Sequence, residues 1–259
     1  MAATPEGRAP LSGVVTTYNN AATLAQCLAS LAACCDELVV LDSHSTDATC
    51  DIARAHGARV LQQAFLGYGP QKQAAIDLAR HDWVLLLDAD ESLVEGSGAR
   101  IQRELAAPRA EGYRLPRREW LFWRWTHPRT GPNWQLRLFR RSRARMNAVP
   151  VHAEPEVQGR VRDLGAPLRH YGEPTLADRV EKVNRYSSGM VEHKRERRPW
   201  GIGARILLYP PYAFAKLYFG KRYFLNGWAG YFAARTQAFY AFLKYAKLLE
   251  AQRRPPDQP

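Results

Sequence analysis

The chain has 259 residues and an apolar fraction of 46%, so it can bury a sizeable core in one large domain, or in a domain with an appendage. Thirty-seven Lys and Arg against 25 Asp and Glu leave a formal charge of +12, a field that draws in phosphate, whether on nucleotide, nucleic acid or anionic lipid. The four cysteines, Cys27, Cys34, Cys35 and Cys50, form no C-x-x-C pair, which excludes zinc-ribbon and dithiol redox spacing and leaves reduced, partly buried thiols.

Residues 1–10 carry no apolar run of the secretory kind and read as a disordered N-terminus, so a cytoplasmic location is expected. Leu11 to Thr16 reads as a first strand, and Leu24, Leu28 and Leu31 recur at helical spacing. Glu37 to Leu41 is a second strand that ends in the polar run Asp42-Ser43-His44-Ser45-Thr46-Asp47. Ser45 or Thr46 is expected to cap the next helix and Gly57 to stop it. Arg59 to Gln62 is a third strand. Pro70 opens a helix to about Arg80, and Trp83 to Leu87 is a fourth strand, apolar throughout as a buried parallel strand is. Strands alternating with helices predict an α/β fold with a mostly parallel sheet covered by helices. A helix from Ser97 to about Ala107 follows, then strand-like pieces at Gly112 to Leu115 and Trp134 to Phe139, flanking the aromatic, basic stretch Arg117 to Trp125. Thr175 to Arg198 is a charged helix, and Pro199 to Arg254 is dense in aromatic and basic residues.

In such sheets ligands bind beyond the carboxyl ends of the strands. The polar residues fall there: Thr17-Tyr18-Asn19, Asp42, and Asp88-Ala89-Asp90-Glu91. Two carboxylates one residue apart at the end of an apolar strand suit magnesium or manganese, which take hard oxygen ligands and complete their shells with substrate phosphates. No G-x-G-x-x-G follows the first strand and no G-x-x-x-x-G-K-[ST] occurs, so dinucleotide and P-loop chemistry are excluded.

Val-Val-Thr-Thr-Tyr-Asn-Asn from Val14, Val-Val-Leu-Asp-Ser-His-Ser-Thr-Asp-Ala-Thr from Val39 and Leu-Leu-Leu-Asp-Ala-Asp-Glu from Leu85 resemble family 2 glycosyltransferases of the GT-A fold. Gly67-Tyr68-Gly69-Pro70-Gln71-Lys72-Gln73, the run Trp134 to Arg141, Val151-His152 and the aromatic C-terminal region resemble its WaaE/KdtX branch of lipopolysaccharide core glucosyltransferases. The resemblance, over roughly residues 11–250, implies a metal-dependent enzyme of the inverting kind. It would move glucose or another hexose from a UDP-sugar to a glycolipid acceptor. It implies that Thr17, Tyr18 and Asn19 line the nucleotide, with Tyr18 on the uracil. Asp42 would accept the base N–H, Lys72 would face the nucleotide, and Asp88 the ribose or metal. Asp90 would coordinate the metal (Mn2+ or Mg2+), with a downstream histidine, His170, completing the shell. The branch leads one to expect Val-His-Glu where this chain has Val151-His152-Ala153-Glu154, so the catalytic base stays open between Glu154, Glu91 and none. Trp134, Arg137 and Arg140 are expected on one strand face, where Trp134 and Arg137, with His152, would contact acceptor or diphosphate.

The implied organisation is a catalytic domain over 11–175, split into a nucleotide-sugar half (11–96) and an acceptor half (97–175), then a helical segment over 176–252 and a polar tail over 253–259. Residues 206–232 have no uncharged stretch of the roughly 20 residues a bilayer span needs. Aromatic residues with Lys216, Lys221 and Arg222 among them suit the headgroup region, so the expected location is peripheral, on the anionic inner face of the cytoplasmic membrane. A nucleic-acid partner is not expected, because no recognition-helix, zinc-finger or RNP-like pattern accompanies the charge. A sugar nucleotidyltransferase would need a glycine-rich first loop where Val15 to Asn19 stand. Ala153 keeps open a catalytically inactive protein that only binds nucleotide-sugar.

Overall fold

A computed structural model of the chain describes residues 8–147, 153–172, 174–194 and 201–253. They form two compact units, one of residues up to Arg118 with Asn133–Tyr171, the other of Glu119–Pro132 with the chain from Gly172 onward. The chain passes from one unit to the other near residue 171, and the aromatic stretch after Arg118 belongs with the C-terminal unit.

The first unit opens with β1 (Leu11–Thr17), α1 (Leu24–Ala32), β2 (Glu37–Asp42), α2 (Thr49–Ala55), β3 (Arg59–Gln62), α3 (Tyr68–Asp77) and β4 (Trp83–Asp88). The short β5 (Glu91–Leu93) and α4 (Ser97–Ala106) follow. Along the chain then come β6 (Gly112–Leu121) and β7 (Arg124–Trp125), the end of β6 and all of β7 belonging to the second unit, and, in the first, β8 (Asn133–Arg140), β9 (Ala144–Met146), β10 (Pro155–Val157), β11 (Val161–Asp163) and β12 (Leu168–His170). Strands β3, β2, β1 and β4 pair in that order, all parallel, and β8 then joins β4 antiparallel. Successive strands step outward from β1 to β3, and the chain then crosses back to place β4 on the other side of β1. The order thus reverses between β1 and β4, where Thr16 lies opposite Asp88. A cleft opens at the carboxyl ends of two such strands because their connections leave in opposite directions.

Side chains alternate across the sheet and divide the core in two. Trp83, Leu85 and Leu87 of β4 pack with Leu28 and Leu31 of α1 and Ile101 of α4, whereas Val84 and Leu86 pack with Ala75 and Ile76 of α3. Both faces of these strands are covered, so their apolar residues run on without a polar break. The cysteines are free, with Cys27, Cys34 and Cys35 buried and Cys50 partly so.

Gly57 (φ 72°) stops α2 as expected, because a left-handed residue ends the helix there without a Cβ clash. Neither Ser45 nor Thr46 caps α2, however. Asp47 accepts from the Thr49 amide (3.0 Å) and hydroxyl (2.5 Å), while Ser45 turns back to Asp42. Residues 8–10 are not a loose arm, since Ala9 N–H donates to Gln102 Oε1 and Arg8 pairs with Asp36. The tail beyond Arg253 lies outside the described residues.

In the second unit the end of β6 turns at Phe122 and Trp123 and pairs back as β7, with Trp120 and Trp125 edge to face at 5.2 Å. The helices are α5 (Leu176–Lys194), α6 (Ile202–Ala215) and α7 (Gly227–Arg253); a π-turn (Lys216–Gly220) and a 3-10 turn (Tyr223–Asn226) link the last two. The inner face of α7 is made of small residues, among them Ala229, Gly230, Ala233, Ala234, Ala238 and Ala241, so neighbouring backbone comes close. A Cβ on Gly230 would collide with the Tyr223 carbonyl oxygen, a clash only glycine avoids. No described helix is long and apolar enough to cross a membrane.

Candidate active site

Two hydrogen-bonded layers build the carboxyl edge at the β1/β4 reversal. The first centres on Asp42, which is fully buried. Its Oδ1 accepts from Thr17 Oγ1 (2.9 Å) and Ser45 Oγ (2.5 Å), and its Oδ2 from the Ser45 amide (2.8 Å) and Gln62 Nε2 (3.0 Å). Burial alone would raise its pKa, but the donors from Gln62, Ser45 and Thr17 win and hold it at about 2. Asn19, in the left-handed region (φ 52°), ties the same loops: its amide donates to Ser45 Oγ and its Oδ1 accepts from the Thr46 amide, each at 2.8 Å.

This corrects the expected nucleotide contacts. A carboxylate with four protein donors and no exposed surface has no lone pair to offer a base. Thr17 and Asp42 are therefore buried supports of the strand ends and not open contacts. Of Thr17, Tyr18 and Asn19 the last two are exposed, Tyr18 at 61%.

Asp42 also makes a pH prediction. Its depressed pKa contributes about 2 kcal/mol of stability that is fully present above about pH 5, about half gone by pH 3, and lost below pH 2. In Asp42→Asn an amide N–H₂ must face donors, which removes this acid-sensitive part and costs about 1–3 kcal/mol at neutral pH. Urea titrations at pH 7 and pH 3 check both; equal acid sensitivity in the two proteins would overturn the assignment.

The second layer lies at the end of β4. Arg137 donates through one terminal nitrogen to Asp88 Oδ2 and Glu91 Oε1, each at 2.7 Å. Arg117 reaches the same Glu91 oxygen at 2.9 Å, and Lys72 pairs with Asp88 Oδ1 at 2.5 Å. Glu91 Oε2 accepts the Asp88 amide at 3.1 Å, closing the turn on itself. Burial would push the Asp88 carboxyl up, but Arg137 and Lys72 hold it well below the usual carboxylate range.

Arg137 reaches inward because of a bulge. On β6 and β8 the pairing runs Tyr113 with Leu138 and then Arg114 with Leu136, leaving Arg137 unpaired. Trp134, Arg137 and Arg140 thus do not share a regular strand face. Arg137 is buried and held by carboxylates, so it does not present itself to an acceptor, and Arg140 turns instead to Asp82 and Glu111. Trp134 is half-buried opposite Pro116. Glu91, with no side-chain exposure and two arginine partners, is placed as a brace and not as a base.

The third element is the pair Asp90 and His170. Strand β12 runs antiparallel to β5 with His170 opposite Glu91, and the Tyr171 amide donates to the Asp90 carbonyl at 2.9 Å. His170 Nε2 stands 3.3 Å from Asp90 Oδ2. Among the described residues no group of three His, Cys, Asp or Glu converges as a metal cage. Two protein ligands nevertheless fit magnesium or manganese, which keep most of their shell for phosphate and water. Asp88, already held by two cations, fits as their neighbour and not as a direct ligand.

Glu154 is exposed, its amide bonded to Asn147 Oδ1 at 3.2 Å and its carbonyl accepting the Asn147 amide at 3.0 Å. His152 lies outside the described residues. Sequence reasoning missed Arg117, Gln62 and the loop-building role of Ser45. Only the closeness of Gln62 to the end of a strand could have signalled the second of these.

With this geometry in view, the comparison with known proteins is decisive for the family. The model for "Glycosyl transferase family 2" matches residues 12–159. The chain belongs to glycosyl transferase family 2. It is a glycosyltransferase, and its curled, mostly parallel sheet covered by helices is the GT-A fold. It is 30% identical over 250 residues to the lipopolysaccharide core biosynthesis glycosyltransferase LpsC of Rhizobium meliloti, covering 93% of this chain and 92% of that one. A glycosyltransferase of Rickettsia bellii is 29% identical over 255 residues, covering 93% and 86%. Among solved structures, TarS 1-349 of S. aureus aligns over 93% of this chain and 92% of its own at 16% identity, with a TM-score of 0.49. The glucosyl-3-phosphoglycerate synthase of Mycobacterium tuberculosis, solved with Mn2+ and UDP, aligns over 43% and 45% at 26% identity, with a TM-score of 0.37. The family assignment rests on the family match and the LpsC relative.

Proposed function

We propose that this glycosyltransferase moves a hexose from a UDP-sugar to a glycolipid acceptor of the lipopolysaccharide-core type, with inversion and with Mn2+ or Mg2+, at the inner face of the cytoplasmic membrane. The observation that carries the reading is the meeting of Asp90 Oδ2 and His170 Nε2, 3.3 Å apart, beside the β1/β4 reversal. The lipid-linked acceptor is supported by the likeness to LpsC along nearly the whole chain.

In this reading Asp90 and His170 hold the ion. When bound, it neutralises the diphosphate and stabilises its departure. Tyr18 stacks on the uracil. Lys72, paired with Asp88, sets the positive wall on which the diphosphate lies. The network of Asp88, Glu91, Arg117 and Arg137 fixes the turn that carries Asp90. Glu154 is the carboxylate proposed to take the acceptor hydroxyl's proton as that oxygen attacks the anomeric carbon.

The test is a panel of nucleotides and nucleotide-sugars titrated with and without Mn2+. A UDP-sugar is expected to raise the unfolding temperature, and to do so much more with the metal. Linked stabilisation reaches about 2.7 kcal/mol at a hundredfold excess over Kd. Stabilisation by none of them, or equally by GDP and CMP donors, overturns the reading. Slow donor hydrolysis distinguishes an enzyme from an inactive nucleotide-sugar binder.

A further inference from the structure

Helix α6 is apolar on both sides. Ile206, Pro210 and Phe214 are half-buried, and the helix packs along α7. The opposite side carries Leu207, Leu208, Pro211, Tyr212 and, past the π-turn, Phe219, at helical spacing. That side is open: Leu207 is 73% exposed, Leu208 68%, Tyr212 57% and Phe219 61%. Single exposed leucines are ordinary on a protein surface, but a continuous apolar stripe on a helix about 20 Å long is not.

Charge says what covers it. From Ile202 to Leu249 the chain has seven Lys and Arg and not one Asp or Glu. Three of the cations border the stripe, Lys216 near its end and Lys221 and Arg222 just past Phe219, and Lys216 Nζ lies 6.0 Å from the Tyr212 ring centroid. Trp228 is 71% exposed at the start of α7. Apolar side chains bordered by aromatic rings and cations match the layered chemistry of a headgroup region. A second copy of the chain is the poorer occupant, because a two-fold contact would set this acid-free surface against itself.

We propose that the outward stripe of α6, from Leu207 to Phe219, is the membrane-contact surface of the protein. It is seated among the headgroups of an anionic bilayer, with Lys216, Lys221 and Arg222 on lipid phosphate. The inference rests on the proposed reading only for its purpose, which is to bring a transferase to a lipid-linked acceptor.

The test uses the full chain with vesicles of phosphatidylcholine alone and vesicles with about one third phosphatidylglycerol. The protein is expected to co-sediment with the anionic vesicles and much less with the neutral ones. Replacing Leu207, Leu208 and Phe219 together by Ser should weaken anionic-vesicle binding by about tenfold or more, since exposed positions lose insertion but not folding. Replacing Lys216, Lys221 and Arg222 together by Gln should weaken binding to anionic vesicles and leave neutral-vesicle binding unchanged, and raised salt should mimic that loss. Absence of vesicle binding by the intact chain, or unchanged binding by the Ser variant, overturns the proposal. So does a dimer in solution that the Ser variant dissolves, because the stripe is then a self-interface. Stabilisation by UDP-sugar is measured on the same samples: if it persists while vesicle binding fails, this inference and the membrane location fall and the proposed chemistry stands, and if it is missing while vesicles bind, the proposed chemistry falls alone.

Discussion

Asp90→Ala is expected to lower sugar transfer by at least about a thousandfold while the unfolding temperature moves by no more than a few degrees. The proposed ion supplies several kcal/mol of stabilisation to the departing diphosphate, and each 1.4 kcal/mol is about a factor of ten in rate. Asp90 is the member of the acidic turn best placed to hold that ion. It has no arginine or lysine ion pair among the described residues, its side chain is 32% exposed, and its carboxylate faces the His170 ring nitrogen. The measurements are turnover at saturating donor and metal affinity by calorimetry. His170→Ala should weaken metal binding in the same direction and less steeply, since a neutral ligand is lost and not a charge. Full turnover by Asp90→Ala, or undiminished turnover in excess chelator, would remove the metal from the reaction.

Arg137→Met has the largest expected effect on stability, a loss of about 3 kcal/mol in urea unfolding. Methionine keeps much of the side chain's bulk, so the cost is mainly electrostatic. Glu91 has no exposed side-chain surface, and of their cation partners among the described residues Glu91 would keep Arg117 and Asp88 would keep Lys72. A carboxylate left short of partners in a dry site costs more than an intact pair gains. Turnover should fall as well, because the turn that presents Asp90 is closed by the Asp88 amide on Glu91. Arg137→Lys, with charge but no planar fork, should recover part of the stability. Stability equal to the parent protein in Arg137→Met would show that the cluster is not what holds the turn.

Much of the first unit was legible in the sequence because it follows local rules. Four apolar runs became four strands within a residue of their expected ends, and Gly57 stopped its helix. The carboxyl-edge rule brought Tyr18, Asp88 and Asp90 to one side of the sheet. What was not legible depends on partners distant in sequence. Nothing near Asp42 says that Gln62 and Thr17 occupy its oxygens, so a buried organiser read as an open acceptor. The region after Gly112 was seen as short pieces because Pro116 and the charges after it interrupt the apolar pattern, yet β6 runs on to Leu121 by backbone pairing. Trp134, Arg137 and Arg140 offered the one available warning: spacings of three cannot keep residues on one face of a regular strand.

The bulge on β8 leaves Arg137 supernumerary to the sheet. Leu138 packs into one half of the core and Leu136 into the other, as neighbours in an unbroken strand would. Remove position 137 in thought, and the hydrophobic residues of β8 already alternate in proper order against β6. Losing a residue from an ordinary strand turns everything on one side of the gap inside out. Here the frame would close without inverting any side chain, and only the charge cluster would be forfeited. The strand is therefore built as a complete core element with one inserted letter, and that letter is the arginine that serves the site.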